Sequence, residues 1–340
     1  MNFLLHPSSI TRSLISIIVT GVLVVSLACR PEDYQKPIQG FQNASNTVIA
    51  ADRAFLSNEN TIEQNKYIDQ QVFEQKPLGS TDIDNQVIIT PDEIKLRTVA
   101  LDALSKYTAS LATLAQGKVD PSTGQNMKTA GTNLQTSATN AGNQANPNPD
   151  QAAFNKKFSG AAGAAAAAIG AVAQLIMDHK ARKEIEQSVK DTDKEITGLI
   201  TLIGNDAQGS YLRQKNQLGF YGTQLYNDYK CEIAVDSNSA PGVNEVKCPQ
   251  KGKGVQADPV ILLTLADRIK SFRTQQTALE NANPAPAIAQ MQKAHEALVV
   301  YVSSNKDPKT LSDLVTEVKN FESAAQPLGQ AIQGLVTAIK

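Results

Sequence analysis

Six side chains in this 340-residue chain are best suited to nucleophilic or metal chemistry: Cys29, Cys231, Cys248, His6, His179 and His295. A zinc site gathers cysteines and histidines at short, regular spacings. No histidine or second cysteine stands at such a spacing from Cys231 or Cys248. His179 lies in Asp178-His179-Lys180, among charges, and reads as a surface residue. His295 falls on the apolar seam of a helical pattern and reads as a packing residue rather than a general base. The chain contains no phosphate-cradling glycine loop, zinc-protease helix or nucleophile elbow. Gly160, Gly163 and Gly170 mimic a dinucleotide loop only loosely, because no strand precedes them. These residues therefore predict no catalytic site, no cofactor and no metal. Tyr221, Tyr226 and Tyr229 are the candidate partner-binding residues, since tyrosine supplies contact area at low entropic cost.

The elements that would position them are helices. Residues 159–177 are dominated by alanine, the strongest helix former. Small side chains on every face let neighbouring helices approach closely, so the stretch predicts the central rod of a bundle. Downstream, Ile185, Val189, Ile196, Leu199, Ile203, Ala207, Tyr211, Leu218, Tyr221, Leu225 and Tyr229 recur at steps of three, four or seven. That spacing keeps one face apolar over many turns. An unbroken helix over residues 151–230 would be roughly 120 Å long. A kink or break is expected near Gly204 and Gly209.

Other segments carry the same period. Phe41, Ala44, Val48, Ala51, Phe55, Ile62, Ile68 and Val72 form one helical face, ended by Pro77 and Gly79. Residues 87–89 are β-prone but isolated, and read as an extended connector. Thr90, Pro91 and Glu93 have capping-box spacing with proline in the first turn. The helix they open carries Leu96, Ala100, Leu104, Tyr107, Leu111 and Leu114. Residues 123–148 offer only Met127, Leu134 and Ala138 as an apolar face, a marginal helix. Asp258-Pro259, Asn283-Pro284 and Asp307-Pro308 are three further helix starts. The last helix has a heptad seam from Leu311 through Leu314, Val318, Phe321, Ala325, Leu328, Ile332 and Leu335 to Ile339. Pro327 is expected to bend it. No charge appears between Glu322 and Lys340, so this end should sit among other helices or against a membrane or partner.

The N-terminus has a lone Arg12, an apolar run over residues 14–27, and Ser26-Leu27-Ala28-Cys29. That order of charge, apolar core and small residues is an export signal. With a cysteine directly after the small residue it resembles the signal of bacterial lipoprotein precursors. It departs from them in having Ser26 where leucine is commonest. The resemblance implies cleavage before Cys29, diacylglyceryl on its thiol and an acyl chain on its amine. Arg30 stands where an inner-membrane retention signal would place aspartate, which implies the outer membrane in a cell that has one. With Cys29 lipidated, Cys231 and Cys248 remain as a pair in a disulfide-permissive compartment. They bracket the turn-rich residues 236–242.

The formal net charge is −1 and aromatic residues make up 5% of the chain, with no tryptophan. Neither a single-sign field nor stacking platforms are present to hold nucleic acid. The expected organisation is a signal peptide over 1–28, a lipidated tether over 29–40, and a helical bundle over 41–340. The bundle is expected to be all-α, elongated and antiparallel, with coiled-coil-like helices and a disulfide-stapled loop at 231–257. The expected role is a cell-envelope scaffold or adaptor, held at the membrane by lipid. It would bind an envelope protein through helix faces or the distal loop, with homo-oligomers allowed by the long faces. The alternative is a membrane-inserting or pore-forming protein using residues 159–177, whose length matches a bilayer.

Overall fold

A computed structural model describes residues 34–74, 76–117, 120–143, 149–178, 180, 182–233, 258–304 and 307–339. These residues form an all-α helical bundle without strands among them. In chain order the helices are α1 (Gln35–Phe73), α2 (Ser80–Asp84), α3 (Pro91–Ala115), α4 (Pro121–Gly142) and α5 (Pro149–Met177). They continue with α6 (Arg182–Asp191), α7 (Asp193–Ile233), α8 (Pro259–Glu280), α9 (Ala285–Ser303) and α10 (Pro308–Ile339). The signal, Cys29, His6, His179 and Cys248 lie outside the described residues.

The helix starts are set by local chemistry. Thr90 Oγ1 accepts from the Glu93 amide at 3.3 Å, and the Glu93 carboxylate accepts from the Thr90 amide at 2.9 Å, closing the capping box. Asp258 Oδ1 accepts from Val260 N at 2.8 Å, and Asp307 Oδ1 accepts from Lys309 N at 3.0 Å. Asp120 does the same for Ser122 N at 2.9 Å. Each carboxylate satisfies an amide that the first turn leaves unpaired.

The α3–α4, α4–α5, α7–α8 and α9–α10 pairs pack side by side, and the faces between them hold much of the core. The α4–α5 pair is the most intimate. A methyl group at Gly131 would lie 3.2 Å from the Ala166 carbonyl oxygen, and one at Gly124 would lie 3.0 Å from that of Ala173. Only glycine allows backbones this close. That contact explains why the thin face of Met127, Leu134 and Ala138 suffices to make α4 a full helix. The alanine-rich partner lets those three side chains become buried. Helix α1 runs antiparallel to α3 (Asn46 meets Ser105 and Arg53 meets Asp102) and to α9 (Tyr34 meets Tyr301 and Phe41 meets His295). It shares its direction with α7 (Phe55 meets Tyr211 and Asp69 meets Tyr221) and α10 (Phe41 meets Phe321 and Thr47 meets Gly329). The seam of α10 is buried from Leu314 to Leu335, and helix α10 continues through Pro327.

Three expectations are corrected. The alanine rod and the stripe beyond it belong to separate helices: the chain leaves α5 at Met177, forms the short α6, and starts α7 at Asp193. The break falls there and not near Gly204, where α7 is continuous and the Gly204 surface is filled by Ile288 Cγ2. Each interior glycine costs a helix only about 1 kcal/mol, which packing of this kind can offset. The segment expected as a tether is helical from Gln35 onward, with Tyr34, Pro37 and Ile38 buried. At the other end α1 stops at Phe73, before Pro77, and Val72 is 46% exposed although the periodicity placed it on the apolar face. Asp69 is turned inward in its place.

Candidate functional site

Helix α1 has 39 residues and so spans nearly 60 Å. It separates two ends of the bundle. The chain enters at Tyr34, and the far end is built by the C-terminal turns of α1 and α7 and the start of α8. There Asp69 is the central group. Its Oδ2 accepts from the Tyr221 hydroxyl, and its Oδ1 lies 3.1 Å from Arg268 Nε. Burial raises the Asp69 carboxyl above its ordinary range, against the opposing pull of the Tyr221 hydrogen bond and the Arg268 charge. Asp228, on α7, is pushed up to about 6, first by burial and then by Glu74 and Asp69. A cleft runs past the Asp69–Arg268 pair, lined by those two and by Val72, Phe73, Val260 and Leu265. Of its lining residues Val72 and Val260 stand exposed, by 46% and 71%, and Leu263, on α8 but outside the cleft lining, is 67% exposed.

The three tyrosines separate here. Tyr221 faces inward, 4% exposed, with its ring edge-on to Phe272 at 6.2 Å, and therefore cannot offer its ring to a partner. Tyr226 and Tyr229 are half-buried and reach the surface. The Tyr226 hydroxyl accepts from Arg273 Nε at 2.6 Å. Cys231 is buried in the last turn of α7. The stapled loop it was expected to open lies outside the described residues beyond Ile233.

Two buried polar groupings are passed over by apolar periodicity. In the first, Arg97 on α3 holds both oxygens of Asp206 on α7, at 3.0 and 2.9 Å from Nε. Arg213 pairs with Glu59 on α1 and donates to Ser210 Oγ at 2.9 Å. Asp52, 2% exposed, lies beside them with its Oδ1 unpartnered. Burial, then the Asp206 charge, drive its carboxyl well above the ordinary carboxylate range. The signal was present in principle: Asp52 and Glu59 sit four residues after Val48 and Phe55, on the apolar seam itself.

The second grouping joins α3, α9 and the start of α7. His295 Nδ1 is 3.4 Å from Asp193 Oδ1, and its Nε2 is 3.3 Å from the Tyr107 hydroxyl. Burial pulls the imidazole down to about 4, against the Asp193 charge, and pushes the Tyr107 phenol up. A carboxylate, imidazole and hydroxyl in line have the order of a nucleophile relay. Here the hydroxyl and imidazole are 0% and 1% exposed, so no substrate reaches them, and the trio ties three helices together. His295 is thus more deeply buried than its sequence position alone indicated.

Among the described residues no group of three histidines, cysteines or carboxylates is arranged to hold a metal ion. Compared with known proteins, the chain matches no family model, no curated protein and no solved structure.

Proposed function

We propose that this protein is a lipid-anchored spacer of the cell envelope, tethered through Cys29 and presenting its far end to another protein. One observation carries the reading. The apolar residues Val72 and Val260 stand exposed on a charged cleft, with Leu263 exposed one turn further along α8, at the opposite end of a nearly 60 Å helix from the chain's entry point at Tyr34. Exposed apolar side chains gathered at one place, with a salt-bridged pair among them, suit a protein interface. Tyr226 and Tyr229, half-buried near the C-terminal end of α7, lie toward the same end of the bundle. The signal-like N-terminus supplies the anchor, and the bundle supplies the distance. In this role no reaction is catalysed; the helices hold the two ends apart.

The experiment is site-specific photo-crosslinking in cells. A photoreactive residue at Leu263 or Val260 should give a discrete adduct with one envelope protein. The same residue at Lys157, on the outer face of α5, should give none. Equal labelling at both places, or none at Leu263, would end the partner-binding reading.

A second reading has its own observation. Residues Ala152–Met177, within which an 18-residue window reaches a mean hydropathy of 1.7, are long and apolar enough to cross a membrane. Their outer face exposes Gly160, Ala164, Ala167 and Ala171. A protein that inserts this helix would release dye from liposomes, whereas a spacer at micromolar concentration would leave them intact. Alanine gains little on leaving water for hydrocarbon, and the larger side chains of α5, Phe158, Ile169, Val172 and Ile176, are already buried against its neighbours. Insertion would require breaking those contacts first.

A further inference from the structure

The end of the bundle where the chain enters has an unfilled apolar space. Ile38 of α1, Leu111, Leu114 and Ala115 of α3, Glu186 and Val189 of α6, and Leu298 and Val302 of α9 line it. The rings of Tyr34 and Tyr301, 5.9 Å apart, complete its wall. The enclosed part of this space is small, about 40 Å³, and it widens through an open mouth to the solvent. Apart from Glu186 and the two tyrosine hydroxyls the wall is hydrocarbon, so a polar ligand would leave most of its hydrogen bonds unmade. It suits a flexible apolar chain.

We infer that this cavity receives part of an acyl chain carried by Cys29 of the same molecule. The inference rests on the lipid-anchor reading above. Cys29 precedes the cavity residue Tyr34 by five positions, and five residues of extended chain span at most about 18 Å. The lipid attachment point is therefore bound to stay within reach of the mouth, at an effective concentration no free lipid would match. Withdrawal of one chain is compatible with anchoring. The resemblance implies three chains on Cys29, and two are enough for stable membrane attachment. The docked chain would fix the angle at which the bundle leaves the membrane, since it ties α1, α3, α6 and α9 to the lipid rather than leaving a free tether.

The test uses cells fed a palmitate analogue with a photoreactive diazirine near its end. The full-length chain is irradiated in its membrane and its adducts are mapped by mass spectrometry. The expected result is crosslinks from Cys29-borne acyl chains to Ile38, Leu114 or Val302, reduced in Val189→Phe and in Ala115→Leu. Both variants narrow the cavity, and circular dichroism checks that each remains helical. Adducts from an acylated Cys29 that fall only on phospholipid or elsewhere on the chain would overturn the cavity assignment while leaving the anchor intact. A chain without any acyl group on Cys29 would overturn both. Free diazirine palmitate added to the Cys29→Ser chain identifies the source: labelling of the cavity there as strong as in the acylated chain would show an ordinary fatty-acid site instead.

Discussion

Arg97 and Asp206 face each other across the α3–α7 interface with both carboxylate oxygens about 3 Å from one guanidinium nitrogen, and both side chains are more than nine-tenths buried. Arg97 also donates to the Glu93 carbonyl at 3.2 Å, and its guanidinium lies 3.9 Å from the centre of the Phe154 ring on α5. One side chain thereby joins three helices. Removing it strands a buried carboxylate. Arg97→Ala should therefore lower stability by about 3–5 kcal/mol, while Arg97→Met combined with Asp206→Leu should recover most of that loss. Urea unfolding of the single and double variants measures it, and a loss under about 1 kcal/mol for Arg97→Ala would contradict the pairing.

Asp52 should make stability fall with rising pH. Its folded-state carboxyl titrates above the ordinary value of 3.8, so the folded state holds a proton that the unfolded state has released. The group costs nothing in acid, and its penalty grows from about pH 4 up to its folded value. Asp52→Asn removes this penalty. The variant's unfolding midpoint should match the parent's near pH 4 and exceed it at pH 8. A constant difference between the two would show that Asp52 is ionised and paired in the fold.

His295 acts with the opposite sign. Its folded pKa is lowered to about 4, so the unfolded chain takes up a proton below about 6.5 while the folded chain stays neutral. Stability is intact above pH 6.5 and is lost as the pH falls toward 4, by up to a few kcal/mol. In His295→Leu this decline should vanish, and comparison with the parent at pH 7 and pH 5 isolates it from the carboxylates. An unchanged decline would mean that His295 is solvated.

Gly219 and Gly222 lie one turn apart on α7 and should respond oppositely to alanine. Nothing is near Gly219, so alanine there gains helix propensity of about 0.5–1 kcal/mol. At Gly222 the added methyl would overlap the Phe272 ring, and Gly222→Ala should cost about 1–3 kcal/mol. Thermal unfolding of the two variants should move in opposite directions.

Much of the bundle is legible in the sequence because its cause is local. The α10 seam repeats from Leu314 to Leu335 without interruption, and Thr90 with Glu93 marks a helix start by side-chain chemistry alone. The break after Met177 was not legible, because the helix-weakening glycines stand at 204 and 209, where tertiary packing overrides them. The exposed end was misjudged for a related reason. Tyr221 has the composition of a binding residue, but Asp69 satisfies its hydroxyl and Phe272 covers its ring. Asp52, Glu59 and Arg97 escaped notice because a reading of apolar periodicity passes over charges on the seam, and their partners lie more than a hundred residues away in sequence.

The proposed tether at Cys29 underlies both the proposed spacer role and the inferred occupant of the cavity. The mass of the mature chain purified from the membrane fraction tests it most directly. The expected chain begins at Cys29 and carries a diacylglyceryl group with an amide-linked acyl chain, and it is absent from the membrane fraction in Cys29→Ser. A mature chain that begins elsewhere, or one that begins at Cys29 without added lipid, would contradict it.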